Sequence, residues 1–200
     1  MPRPTHEQFI AILNAPDLAV LSIRGHIAIE SVISDVIFQA LPDPHHLEVE
    51  RLSFPLKLDL AVALKALQKD SRPLFMKLNV IRNRFAHQAT AHLDEATACD
   101  LKNSMSELHR KLVGDHFDTS NDPRHILRTA MAAAFYEAYM AAEHLAHKKL
   151  ELEAWREEVE KLLKETEHLS THPETGKFSK RVQARVEEKR RVLSQTEDKP

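Results

Sequence analysis

Apolar residues recur every three or four positions along most of the chain, and prolines mark where each run begins or stops. The pattern predicts a short helix from Thr5 to Leu13 with Thr5 as its N-cap. A longer helix opens at Asp17, just after Pro16, and ends near Leu41 ahead of Pro42 and Pro44. Val20, Ile23, Ile27, Val32 and Val36 recur at helical spacing in it and are expected to form its buried stripe. Gly25, in its middle, is less favourable than Ala by about 1 kcal/mol, which a close approach of another helix explains. Ser53 and Pro55 start the next helix, with Leu56, Leu60, Leu64 and Leu67 down one face. After Pro73 a stripe of Leu74, Leu78, Ile81 and Phe85 leads into His87. Residues Gln88 to Leu93 read as a connection, and Asp94 caps a helix running to Val113 that Gly114 ends.

Asn121-Asp122-Pro123 is a further start signal, and neither proline nor glycine follows until Pro173. One helix of more than about ten turns fits that span. Its Ala-rich first part, with Phe135, Tyr136 and Tyr139, is apolar enough to join the core. In the second part Leu145, Leu152, Val159 and Thr166 fit heptad position a, and Lys148, Trp155, Leu162 and Leu169 fit d. A lysine and a threonine in the seam make this pattern one that admits a partner helix without requiring it. Trp155 then reads as a packing residue rather than a platform for a nucleic-acid base. From Lys177 to Arg191 there are seven Lys or Arg against two Glu, a basic tail. The expected organisation is a helical domain over 1–146, a helical extension over 147–170 and a basic tail over 171–200.

Composition narrows this to an all-α fold. Three glycines in 200 residues leave little room for tight turns and hairpins. Hydrophobic residues at 42% and charged ones at 29% suit an aliphatic helical core under a solvated surface. A formal charge of -2 predicts no global attraction to nucleic acid or membrane, so any basic site must be local. Cys99 is the sole cysteine, which excludes an intramolecular disulfide and a cysteine-rich zinc site. No apolar run approaches the ~20 residues that cross a bilayer. The amino-terminal MPRPTHEQF lacks the apolar core of a signal peptide, so the cytoplasm is the expected location.

The candidate chemistry lies in Arg82-Asn83-Arg84-Phe85-Ala86-His87. This segment resembles the signature of the HEPN superfamily: an arginine, a polar residue, then a histidine a few positions on. Phe54-Pro55-Leu56-Lys57-Leu58-Asp59-Leu60-Ala61, followed by Ala63-Leu64, is similar to the stretch before the motif in mannitol-operon-repressor-like bacterial members. Arg24-Gly25-His26 through Glu30 resembles their first long helix, and the likeness extends over roughly residues 6 to 145. The resemblance implies an antiparallel bundle of four or five helices that forms a homodimer, with two Arg…His motifs sharing a cleft. It implies one of two functions. The first is metal-independent endoribonuclease activity of the toxin–antitoxin or phage-defence kind, without a cofactor. The second is a non-catalytic role in RNA binding or transcription regulation. The C-terminal helix, outside the likeness, is the expected place for a protein partner, an antitoxin in the first case or another protein in the second.

Residue types say what each group offers. Cleaving RNA through its own 2′-hydroxyl needs a base, a positive donor to the phosphorane and an acid for the leaving oxygen. His87 suits acid–base work, because imidazole titrates near neutral pH. Arg82 stays charged and can hold two phosphate oxygens. Asn83 can orient the phosphate or the histidine. Arg84 is a candidate RNA-backbone contact, as are Lys180, Arg181, Arg185, Arg190 and Arg191 of the tail, although a solvated terminus explains those five as well. Arg82 and His87 are five positions apart, about 140° around a regular helix. They converge only if the helix ends, tightens or bulges near Phe85 and Ala86, or if a second copy supplies the other group. The competing structural roles are a cap on the helix end for His87 and an ion pair with Glu30 or Asp35 for Arg82. Glu143, His144, His147 and Glu151 share a helix face but lack a dedicated metal spacing, so no metal is assigned.

Overall fold

The capping residues begin the helices where the sequence places them, in a computed structural model that describes residues 3–88, 90–117 and 119–167. Helix α1 (His6–Leu13) opens on a capping box: Thr5 Oγ1 accepts from Gln8 N–H (3.2 Å), and Gln8 Oε1 accepts from Thr5 N–H (2.9 Å). The Asp17 carboxylate accepts from Ala19 and Val20 N–H (2.6 and 3.0 Å) to start α2 (Leu18–Ala40). Two single 3-10 turns, Pro44–His46 and Val49–Arg51, lead to α3 (Phe54–Ala63). A left-handed Lys65 (φ 58°) closes α3, its N–H bonding Val62 O and that of Ala66 bonding Ala61 O. Then come α4 (Arg72–His87), α5 (Glu95–Asn103), α6 (Glu107–Val113) and α7 (Pro123–Glu167). The described residues contain seven α-helices, more than the resemblance implies, and no strand. None of these helices is long and apolar enough to cross a membrane.

The chain divides into two compact units after Lys149, inside α7. In the first, α2 packs on α1, α3 and α4. Gly25 faces α7: a Cβ there would overlap Met131 Sδ and lie 3.2 Å from its Cε. The expected close approach is therefore real, and its partner is α7. At the amino end, Phe9 stacks on Phe135 of α7 (centroids 3.7 Å apart), and Arg3 lies over the Tyr139 ring.

Three expectations are corrected. Of the expected α2 stripe Val32 and Val36 are buried, and the other buried apolar side chains are Leu21, Ala28, Ile29, Ile33 and Ile37, while Val20 and Ile27 are exposed along an open groove toward α1. On α3 the buried residues are Phe54, Lys57, Leu58 and Ala61, whereas Leu56 faces solvent. Both helices are apolar on nearly every side, so periodicity cannot choose among their faces. The helix expected from Asp94 to Val113 is two helices. It breaks at Ser104-Met105-Ser106, where Ser106 caps a new start with His109 as its reciprocal partner.

Candidate functional site

Helix α4 carries the motif, and its core stripe decides which way each motif residue lies. Leu74, Phe75, Leu78 and Ile81 are buried, with Phe85 half-buried against the same core. That anchoring puts Arg82 on the flank of the stripe and Asn83 and His87, one turn apart, on the outward side. Arg82 is half-buried, His87 is exposed. Arg82 Nη1 donates to Asn83 Oδ1 at 2.8 Å, turning the guanidinium toward the face that His87 shares. The helix stays α-helical through His87, and Gln88 N–H bonds Arg84 O at 3.0 Å. It neither tightens nor bulges, so Arg82 and His87 do not converge within one chain. The helix end is closed by Gln88, not by the His87 ring.

Beside Arg82 lies a buried polar cluster contributed by α2 and α3. Lys57 Nζ donates to Glu30 Oε1 at 2.7 Å, and the other Glu30 oxygen is 3.9 Å from His26 Nδ1. His26 packs on the Phe54 ring, and neither of its ring nitrogens has a partner. Burial lowers its pKa to about 4; Glu30 opposes that shift, and the Arg82 and Lys57 charges add to it. The alternative pairing of Arg82 with Glu30 or Asp35 does not form, because Lys57 takes Glu30 and Arg3 takes Asp35 (3.4 Å). Arg82 Nε is left buried without a partner. The local charge is thus two cations against one carboxylate.

Arg84, the candidate RNA-backbone contact on α4, lies on the side of the helix turned toward α5. It is half-buried, and its Nη1 donates to Thr97 Oγ1 at 3.3 Å, tying α4 to α5. Lys180, Arg181, Arg185, Arg190 and Arg191 lie outside the described residues. Glu143, of the histidine-rich helix face, is bonded by Arg3. The described residues contain no group of three His, Cys, Asp or Glu able to hold a metal.

A second polar pair, His109 with Glu137, is not evident in the sequence. His109 Nδ1 accepts from Ser106 N–H at 3.1 Å, which leaves the proton on Nε2, and Nε2 donates to Glu137 Oε2 at 2.6 Å. Both side chains are buried, and Glu137 Oε1 has no partner. The only local signal was the Ser-x-x-His start of α6, since Glu137 is 28 positions away. The pair joins α6 to α7. No protein-family model, curated protein or solved structure matches this chain.

Proposed function

We propose that this chain is a HEPN-like antiparallel helical bundle acting as a homodimer on RNA, with Arg82, Asn83 and His87 of both copies around one metal-independent site. The observation that carries this reading is the Arg82–Asn83 hydrogen bond on a helix face that His87 shares. An arginine with no acid partner suits a phosphate, because its charge is not already spent on a carboxylate. An exposed imidazole suits acid–base work on a substrate that arrives from solvent. One copy's His87 removes the 2′-hydroxyl proton, the second copy's His87 protonates the leaving 5′-oxygen, and Arg82 stabilises the phosphorane. Asn83 sets the guanidinium.

The straight course of α4 favours a second reading, a non-catalytic regulator, because one chain alone does not assemble the site. Incubation of the full protein with total RNA in EDTA separates the two. Wild type is expected to cleave, with His87→Ala slower by about 100-fold or more and Arg82→Lys intermediate, since lysine keeps the charge but not the planar fork. Circular dichroism checks that the variants fold. Equal cleavage by wild type and His87→Ala sinks the nuclease reading, and so does no cleavage by either.

A further inference from the structure

The part of α7 beyond Lys149 carries an apolar face and two charged flanks of opposite sign. Leu152, Trp155, Val159 and Leu162 follow one another at helical seam spacing. Leu152 is 48% exposed and Trp155 43%, large apolar areas to leave in water. One flank of this seam holds Lys149, Arg156 and then the exposed Leu163, at heptad position e, and the other holds Glu151 and Glu158, at g. We infer that this segment of α7 pairs in parallel with the same segment of a second copy of the chain.

The flanking charges select both the occupant and its direction. In a parallel pair a g residue meets the e residue five positions further along the other helix. Glu151 then faces Arg156 of the second copy, and the two-fold axis repeats the contact. In an antiparallel pair that matches the seam, with Leu152 opposite Leu162, g faces g and e faces e: Glu158 would meet Glu158 of the second copy, and Arg156 would meet Arg156. Both flanks would repel. The segment is self-complementary in one orientation only. Lys148, at the preceding d position, bounds the seam, which therefore begins at Leu152 and is short. Pairing this short is weak and concentration-dependent, so trapping is the suitable readout.

The test uses the full chain with the native cysteine removed (Cys99→Ser) and one new cysteine at a time. Under mild oxidation Leu152→Cys is expected to form a disulfide-linked dimer at least tenfold faster than Leu150→Cys, which sits on the outer side of the helix. Adding Glu151→Lys to the Leu152→Cys chain is expected to slow linking about tenfold. Mixing that chain with one carrying Leu152→Cys and Arg156→Glu restores the rate, since each lysine or arginine then meets a glutamate. Linking of Leu152→Cys to Leu162→Cys in preference to self-linking identifies an antiparallel pair and overturns the proposal. Linking no faster than the Leu150→Cys control overturns it as well. RNA cleavage is measured separately, so either idea can fail without the other.

Discussion

His26 shows how a single side chain's surroundings set a property of the whole fold. Its ring is buried among Phe54, Glu30, Lys57 and Arg82, and desolvation holds its pKa at about 4 against an ordinary 6.5. Between those values the folded chain binds fewer protons than the unfolded chain, so stability is complete above about pH 6.5 and falls as the pH drops toward 4. The expected loss from this group between pH 7 and 4.5 is about 2 kcal/mol. Urea unfolding at the two pH values measures it, and His26→Leu is expected to lose less than half as much. An unchanged pH dependence in that variant assigns the loss to other groups. Nothing in the order of residues reveals this environment, because the cluster is assembled from three helices. The same is true of Arg82: the sequence names its two candidate acids, and only the packing shows that Lys57 and Arg3 reach them first.

Helices were legible to different degrees, for identifiable reasons. Helix α1, opened by a side-chain cap, matches its expected bounds, and α4, with a single apolar stripe, matches its expected face. Helix α2 matches in its bounds, since Asp17 and Pro42 are local signals, but not in its buried face, since too many of its positions are apolar. Its glycine was informative because an unfavourable residue in a helix interior calls for a tertiary cause. Gly25→Ala gains helix propensity of about 1 kcal/mol but displaces the fully buried Met131, an overpacking cost of about 1–3 kcal/mol. Net destabilisation of about 1 kcal/mol is expected in the wild-type background. In a Met131→Ala background the same change is expected to stabilise, because the obstructing side chain is gone. Thermal or urea unfolding of the four proteins closes the cycle, and additive effects would show that Met131 is not the obstacle.

For the molecule as a whole, the division after Lys149 makes a simple prediction. A chain ending at residue 149 keeps every buried core residue from Phe9 to Ala142 and is expected to unfold cooperatively with a Tm within a few degrees of the full chain at low concentration. Non-cooperative melting of that fragment would show that residues beyond 149 complete the fold. The pairing proposed for α7 adds a distinction: the fragment should lose self-association driven by the 152–162 seam, while the full chain retains it. The net charge of -2 is uninformative at this scale, since the charges that matter sit in one internal cluster and along two flanks of a single helix.

What the sequence determined by itself is the helical class, most helix starts and the position of the Arg82…His87 motif on α4. These depend on contacts within about four residues, between a cap and its first turn or along one stripe. Tertiary structure alone decided which faces of α2 and α3 are buried, where the Asp94–Val113 run breaks, which acids pair with which bases, and that His109 meets Glu137. Those outcomes depend on residues far apart in the chain competing for the same space and the same partners. The motif's geometry belongs to both levels. Its spacing sets the angle between Arg82 and His87, and the regular helix end leaves that angle unchanged.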